Sequence, residues 1–347
     1  MFKQMESYAT QRLHFFNDAE TKLKAIVAIH STVRGPAIGG CRFIPYTDDA
    51  DAITDAIRLA QGMSYKAALA GLPHGGGKAV VIVPNQPFDR AALMRSFGAY
   101  INILNGEYIT AMDSGTQVTD MDQIKKSTHW VTCTSTSGDP SPYTALGVFE
   151  GIKASVEFKL RRKDLTGLHV SIQGLGHVGY EVARLLHQAG ARLTVTDIDP
   201  SKIQLCKEHF SAKSVEPEEI YNTPADIFCP CGLGAILNTD TIKQLQVSIV
   251  AGSANNQLEK ERHGDLLSER GILYAPDYLI NSGGLIFVSL QHAQKSIAAI
   301  HHKILQIGPS LHQIYRDSER SEHSIHRIAN EKAEAIINAS EEIHSVA

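Results

Sequence analysis

The chain lacks the features that anchor, export or cross-link a protein. Its five cysteines are odd in number and scattered, and no two have the C-x-x-C spacing of a zinc or thioredoxin-like site. Apolar runs such as residues 80–83 are far shorter than the ~20 residues that cross a membrane. Glu6 stands where the apolar part of a secretion signal would begin. We therefore expect a cytoplasmic protein with reduced thiols and no membrane contact.

An excess of charge of one sign is also missing. The 33 basic residues nearly balance the 37 acidic ones, which leaves a formal net charge of −4. A balance of this kind provides no broad positive field for nucleic acid or anionic lipid. We expect a small molecule as the partner and no nucleic acid.

The composition is that of a chain that folds. Hydrophobic residues make up 43% and charged residues 20% of the 347 positions, which excludes global disorder. At ~150 residues per domain the length predicts about two domains.

The hydrophobic pattern changes along the chain. The first ~135 residues mix short β-rich runs with apolar residues at helical spacing, and from residue 168 strands and helices alternate strictly. That alternation predicts a doubly wound parallel sheet, and the turn-rich stretch 136–142 marks the domain boundary. After residue 284 the chain is predicted to be helical to its end. The predicted strands are 24–29, 79–83, 169–173, 193–196, 226–229, 247–251 and 272–274, and the predicted helices are 49–62, 90–104, about 176–189 and one from residue 200.

A dinucleotide fingerprint directly follows the predicted strand 169–173. Its glycines permit a tight turn and let backbone N–H groups at a helix N-terminus approach a diphosphate. Asp197 closes the next strand, 23 residues after Gly174, where a carboxylate binds a ribose hydroxyl and repels a 2′-phosphate. The alternative is a structural turn with a helix-capping aspartate, but strand, fingerprint, helix and acid in register favour NAD. The predicted cofactor-binding residues are Gly174, Gly176, His177, Val178, Gly179 and Asp197.

A second group of motifs contains Lys66, Lys78 and Asp113. A P-loop is excluded for the glycine-rich stretch 75–78, because Leu72 stands at the partner glycine and Ala79 replaces the required hydroxyl residue. Two lysines twelve residues apart, separated by a glycine-rich turn, could lie close enough for one to act as a base. Each lysine alone could equally be a solvated surface residue, so this interpretation requires that the motifs share one cleft.

The ordered motif set resembles that of the amino-acid dehydrogenase family, which includes glutamate, leucine, phenylalanine and valine dehydrogenases. The resemblance extends from about residue 20 to residue 290 and is closest to the leucine, valine, phenylalanine and tryptophan branch. Its motifs lie at 35–40, 62–66, 75–78, 113–116, 142–145, 174–179 and 252–257.

The resemblance implies an NAD-dependent enzyme that converts an L-amino acid reversibly into a 2-oxo acid, ammonium and NADH. Lys66 would bind the substrate carboxylate, Lys78 would activate the water that attacks the imine, and Asp113 would exchange protons with the amino group. The chemistry needs such a set, namely a fixed cation, a base and a carboxylate that moves protons at nitrogen. A homo-oligomer is also implied.

The resemblance further implies an α/β fold of two domains with a cleft between them. Residues 1–139 would form the substrate-binding and catalytic domain and 140–315 the Rossmann NAD-binding domain. A helical segment, 316–347, would return to the first domain. In the second domain Asn256 would hold substrate or nicotinamide beside Asn255, and Thr144 and the turn that begins with Cys231 and Gly232 would lie along the nicotinamide. Cys229 and Cys231 are expected to be packing residues rather than metal ligands.

Substrate choice is predicted to depend on Ile38, which precedes the Gly39–Gly40 pair. Glutamate dehydrogenases of this superfamily have a lysine there that binds the side-chain carboxylate. An apolar pocket disfavours glutamate, because burying an unpaired carboxylate costs several kcal/mol. Matching motif positions predict that the wall is completed by Ala111, Leu285 and Val288.

Two alternatives stay open. The enzyme could act on an aromatic amino acid, phenylalanine or tryptophan, or the chain could be a catalytically weak sensor that binds amino acid and nucleotide. The segment 289–300 matches the family poorly, and Met112 replaces an acidic residue often found before the aspartate. No metal site is expected, although His323 and His326 could share one face of a helix.

Overall fold

The computed structural model describes residues 1–345, with side chains up to residue 339. The chain divides into two compact units. The first comprises Met1–Asp139, Val288–Gln294 and the residues from Ala333 onward, and the second comprises Pro140–Phe287 and Lys295–Lys332. The predicted division changes in two details, because two helices that begin in the second unit end in the first. Val288–Gln294 joins the first unit, and the C-terminal segment joins it only from Ala333 rather than from residue 316.

The first unit is built on a five-stranded mixed sheet. Its strand order is β1-β2-β4-β3-β5, in which β1, β2 and β4 are antiparallel neighbours and β3 runs parallel to β4 and β5. The strands are β1 (Arg12–Asp18), β2 (Leu23–Ser31), β3 (Ala37–Ile44), β4 (Gly75–Ile82) and β5 (Tyr108–Met112). The helices are α1 (Phe2–Ser7), α2 (Asp49–Leu69), α3 (Arg90–Ile103) and α4 (Val118–Lys125).

Helix α2 covers one face of this sheet. Asp48 caps it by accepting a hydrogen bond from the Ala50 N–H, and its alanines at 52, 56 and 60 pack against β2 and β4. The helix continues seven residues beyond the predicted end at Gly62, so Lys66 lies in its last turn. Alanine, leucine and methionine in this stretch favour helix strongly enough to outweigh one glycine.

The predicted glycine-rich turn is wrong. Gly75–Gly77 lie inside β4, and the turn occupies the residues before them. A Cβ on Gly76 would lie 2.0 Å from the Ser64 amide nitrogen of α2, so glycine is required here for close packing of helix on strand.

The second unit contains a six-stranded, entirely parallel sheet. Its order is β11-β10-β9-β6-β7-β8, which confirms the predicted doubly wound α/β fold. The strands are β6 (His169–Gln173), β7 (Arg192–Thr196), β8 (Lys213–Ser214), β9 (Ile227–Pro230), β10 (Ile249–Val250) and β11 (Leu273–Tyr274). Two of them, β10 and β11, are shorter than predicted.

The helices of this unit begin with α5 (Ser141–Leu160), α6 (His177–Gln188), α7 (Pro200–Phe210), α8 (Thr239–Gln244), α9 (Arg262–Glu269) and α10 (Asp277–Ile280). Four more follow: α11 (Gly283–His292), α12 (Ile297–Leu305), α13 (Ile307–Glu319) and α14 (Ile325–Ser345). The predicted helical C-terminal region is thus confirmed, with a break around Gln294, whose φ is +55°. Within residues 1–345, no helix is both long and apolar enough to span a bilayer.

Candidate active site

Lys78 and Asp113 form a buried ion pair in the first unit. The Lys78 Nζ lies 2.6 Å from the Asp113 Oδ2, and the two side chains are 7% and 15% exposed. Lys78 lies in β4, and Asp113 directly follows β5, on the far side of the intervening β3. The sheet order therefore joins two residues that are 35 positions apart in the sequence.

A second cation, Arg42, also contacts Asp113. Its Nε donates to the Asp113 Oδ2 at 3.3 Å, and its Nη1 donates to Asp55 at 2.8 Å. Asp55 in turn accepts a hydrogen bond of 2.5 Å from the Tyr46 hydroxyl. Arg42 thus bridges two carboxylates, one of which belongs to the predicted catalytic set.

This network determines the charge of Asp113. Burial opposes ionisation, but Lys78 and Arg42 together outweigh it and lower the pKa of Asp113 to about 2. Burial likewise opposes the charge of Arg42, yet Asp113 and Asp55 raise the Arg42 pKa. Asp113 is consequently a carboxylate at neutral pH.

Arg42, Asp55 and Tyr46 were missed by the sequence analysis. Arg42 stands two residues after Gly40 in β3, so both face the same side of the sheet. Had β3 been predicted, that alternation would have indicated Arg42. Asp55 lies on α2, and its contact depends on how the helix docks.

Gly40 makes room for the aspartate. A Cβ at this position would lie 2.6 Å from the Asp113 Cβ and 3.0 Å from the Met112 carbonyl oxygen. No ordinary carbon contact is that short. The glycine is therefore required by the position of the Asp113 side chain.

The other predicted substrate residues are divided between the two units. Ile38 is fully buried in β3, in register with Gly76 and Ile109, and Ala111 is opposite Gly40 in β5. Lys66 lies on α2, two residues after Ser64. Val288 belongs to the first unit, whereas Leu285 and Asn256 belong to the second. Their contacts with substrate remain predictions.

The second unit gathers the predicted cofactor residues at the carboxyl edge of its sheet. The chain order reverses between β6 and β9, and open α/β sheets bind ligands outside this switch point. The loop from Gly174 follows β6, and the turn from Cys231 follows β9. Gly174 has φ +94° and meets Gly232 so closely that a Cβ would lie 2.7 Å from the Gly232 nitrogen.

Asp197 is fixed against the glycine loop. Its Oδ2 accepts from the Leu175 N–H at 2.5 Å and its Oδ1 from the Asp199 N–H at 2.9 Å. Helix α6 begins at His177, and the first N–H groups of a helix have no acceptor within it. A free helix N-terminus suits a diphosphate and the adjacent carboxylate suits a ribose hydroxyl, so these residues fit a dinucleotide.

The turn after β9 continues this site toward the predicted nicotinamide residues. The Ala235 N–H donates to the Asn256 carbonyl oxygen at 2.7 Å, and the Asn255 Oδ1 accepts from the Asn281 Nδ2 at 2.8 Å. Thr144 lies in the first turn of α5, where its hydroxyl donates to the Pro140 carbonyl oxygen. The structure therefore brings the Cys231 turn and the two asparagines together.

Histidines and other potential metal ligands do not cluster in the described part of the chain. Among residues 1–339, whose side chains the structure describes, no group of three or more His, Cys, Asp or Glu could hold a metal ion. His323 precedes the start of α14 and pairs with Glu331 at 2.7 Å, so it does not share a helix face with His326.

Comparison with known proteins identifies the family. Residues 10–130 match the model of the Glu/Leu/Phe/Val dehydrogenase dimerisation domain, and residues 198–344 match that of the glutamate/leucine/phenylalanine/valine dehydrogenases. Leucine dehydrogenase of Bacillus subtilis is 45% identical over 345 residues, covering 96% of this chain and 94% of that protein. L-Tryptophan dehydrogenase of Nostoc punctiforme is 47% identical over 291 residues, covering 83% of this chain and 82% of that protein.

The crystal structure of the Nostoc punctiforme L-tryptophan dehydrogenase has the same fold. It superimposes with a TM-score of 0.84 at 41% identity, covering 99% of this chain and 100% of that one. These findings confirm the resemblance inferred from the motifs. The chain belongs to the Glu/Leu/Phe/Val dehydrogenase family and is an amino-acid dehydrogenase.

Proposed function

We propose that the protein oxidatively deaminates an aliphatic L-amino acid, with L-leucine as the first candidate and NAD as the hydride acceptor. The products are the 2-oxo acid, ammonium and NADH, and the reaction is reversible. The observation that carries the proposal is the buried Lys78–Asp113 pair on the sheet face that Gly40 leaves open. The likeness to the Bacillus subtilis leucine dehydrogenase supports the substrate class.

The chemistry requires two proton transfers. The substrate ammonium loses a proton before its Cα–H bond breaks, and a water molecule loses a proton as it attacks the imine carbon. Asp113 is ionised and accepts a proton at the substrate nitrogen. Lys78 faces Asp113 as an ammonium, so it first releases a proton to solvent, and its neutral amine then takes the proton from water. Because the charged form of Lys78 lowers the Asp113 pKa, the loss of this proton makes Asp113 a stronger base. Lys66 provides the cation for the α-carboxylate.

NAD, when bound, would supply the hydride acceptor. The residues that would hold it are the α6 N-terminus at His177 and Val178, the glycines of the fingerprint, and Asp197. Since Asp197 is a carboxylate next to the ribose position, a 2′-phosphate would be repelled, which supports NAD over NADP.

Apolar residues support an uncharged substrate side chain. Ile38 is fully buried and Ala111, Leu285 and Val288 are each less than a tenth exposed. A γ-carboxylate placed against the three of these residues that belong to the first unit, Ile38, Ala111 and Val288, would lack a partner, which costs several kcal/mol. An aromatic substrate is the second candidate, because the tryptophan dehydrogenase is also similar over most of this chain.

Two further aspects follow from the family assignment. The first family domain is described as a dimerisation domain, which supports a homo-oligomer. All five cysteines are free, which supports the cytoplasm as the compartment.

The experiment is a substrate screen in which the absorbance of the reduced cofactor reports the rate of the reaction. Purified protein is given L-leucine, L-valine, L-phenylalanine, L-tryptophan or L-glutamate with NAD or NADP. We expect kcat/KM to be highest for L-leucine or L-valine with NAD. A preference for glutamate would contradict the pocket assignment, and binding of both ligands without turnover would favour the sensor alternative.

A further inference from the structure

Two thiols lie side by side at the edge of the cofactor site. Cys229 is the third residue of β9 and is buried, and Cys231 directly follows the strand and is half-buried. Their sulfur atoms are 3.6 Å apart, within hydrogen-bonding distance for thiols. Residues i and i+2 of an extended chain face the same side, which brings the two sulfurs together. The deamination chemistry uses neither sulfur.

Cys231 also contacts the fingerprint loop through its main chain. Its N–H donates to the Gln173 carbonyl oxygen at 2.7 Å, and a Cβ on Gly174 would lie 2.9 Å from the Cys231 carbonyl carbon. A Cβ on Gly179 would lie 3.1 Å from the Cys231 Cβ. Residue 231 therefore packs close to two of the three fingerprint glycines.

The two sulfurs differ in character. The hydrogen bond from Cys229 lowers the pKa of the Cys231 thiol against the opposing effect of burial, and hydrogen bonds from Ser253 add to the lowering. The same sulfur–sulfur contact, reinforced by burial, raises the pKa of Cys229. Cys231 is thus the more acidic of the two thiols, and it is the one from which the thiolate forms more readily.

We propose that Cys229 and Cys231 form a reversible disulfide on exposure to peroxide, and that this bond weakens NAD binding. The first half stands on the sulfur geometry, and the second rests on the proposed function. Cys206, which is buried in α7 of the same unit, is a matched control cysteine.

The reaction balances with hydrogen peroxide as the oxidant. The Cys231 thiolate attacks one peroxide oxygen, the O–O bond breaks, and hydroxide leaves and takes up a proton to become water. The resulting sulfenic acid is attacked by the Cys229 sulfur, which forms the S–S bond and releases a second water. Two thiols lose two electrons in total, and a dithiol reductant returns them.

We expect bond formation to displace the turn. A disulfide needs sulfurs about 2.05 Å apart, so the two atoms must approach by about 1.5 Å. Cys229 lies within a strand, in register with Ile172 of the central strand β6, whereas Cys231 lies beyond the strand end. The movement therefore falls on residues 231 and 232, and it transmits to the glycines that cradle the diphosphate.

The disulfide is tested by mass spectrometry on the full-length protein. Wild type, Cys229→Ala and Cys206→Ala are treated with hydrogen peroxide, alkylated and digested. Wild type and Cys206→Ala should lose two hydrogens in the peptide that contains residues 229–231, and dithiothreitol should restore them. Cys229→Ala should instead give a sulfenic acid at Cys231 that dimedone traps. Full alkylation of both cysteines after peroxide would overturn the proposal, as would the same loss in Cys229→Ala.

The effect on the cofactor is measured by titration calorimetry with NAD. Oxidised wild type should bind roughly tenfold or more weakly than reduced wild type, and dithiothreitol should reverse the change. Reduced Cys229→Ala should bind NAD as the wild type does. Equal affinity of oxidised and reduced wild type would overturn the regulatory half. If reduced wild type does not bind NAD, the proposed function fails, while the mass measurement still decides the disulfide.

Discussion

Replacing Gly40 with alanine should disable the enzyme without touching an ionisable group. The added Cβ would lie 2.6 Å from the Asp113 Cβ and 3.3 Å from its Cγ. Since carbon atoms in contact keep ~3.5–4.0 Å apart, the aspartate must move by about 1 Å. A shift of that size breaks the 2.6 Å contact between Asp113 and Lys78.

The cost to catalysis follows from this displacement. Misplacing a reacting group by about 1 Å lowers the rate roughly 10²-fold. That factor corresponds to about 2.7 kcal/mol of lost transition-state stabilisation. Overpacking of the buried sheet should also lower the free energy of unfolding by about 1–3 kcal/mol.

The assay compares Gly40→Ala with a control glycine. Gly308 lies in α13, where a Cβ would be 3.5 Å from the nearest atom, the Glu150 carbonyl oxygen. Gly308→Ala should therefore retain wild-type kcat with L-leucine, whereas Gly40→Ala should lose it while binding NAD normally. A Gly40→Ala protein with at least half of the wild-type kcat would refute the reasoning, because it would show that Asp113 need not stay where the structure has it.

Three other changes probe the cofactor, the pocket and the ion pair. We expect the wild type to prefer NAD over NADP by roughly tenfold or more in kcat/KM, and Asp197→Ser should reduce this preference. An unchanged ratio of the two kcat/KM values would show that Asp197 does not select the cofactor. Ile38→Lys should lower kcat/KM for L-leucine, since it leaves an ammonium among apolar groups, and should raise the rate with L-glutamate relative to L-leucine; an unchanged ratio would place Ile38 outside the pocket. Because the folded-state pKa of Asp113 is about 2 and its ordinary value is 3.8, the ion pair contributes stability above pH ~4 and loses it as the pH falls toward 2. The difference between the two pKa values corresponds to about 2 kcal/mol of folding free energy. Between pH 5 and pH 2 the wild type should therefore lose more stability than Asp113→Asn, as measured by urea unfolding with the fluorescence of the single tryptophan, Trp130. Parallel curves of stability against pH would contradict the lowered pKa.

The second unit could be predicted from the sequence because buried parallel strands give short apolar runs separated by loops. The glycine fingerprint after β6 and Asp197 after β7 then showed which strands carry the cofactor motifs. The strands of the first unit were harder to predict from the sequence. Strand β3 contains two glycines, and the exposed strand β1 contains His14 and Asn17, so neither has a strong apolar pattern.

The Lys78–Asp113 pair could be named from motifs, but its partners could not. Arg42 reaches both Asp113 and Asp55 only because β3 lies between β4 and β5 and α2 packs on the same face. Sequence spacing does not contain this strand order, since β3 is followed in the chain by a helix rather than by its neighbour. The glycine-rich stretch was mistaken for a turn for a related reason, because the close approach of α2 becomes visible only in three dimensions.

The most direct test of the account is the turnover of Lys78→Ala with L-leucine and saturating NAD, together with its affinity for NAD. Lys78 belongs to the first unit and the cofactor residues to the second, so the two quantities should separate. The account predicts that kcat falls roughly 10²-fold or more, the range for losing a general acid–base group, while the NAD dissociation constant stays within about twofold. Turnover at the wild-type rate would contradict it.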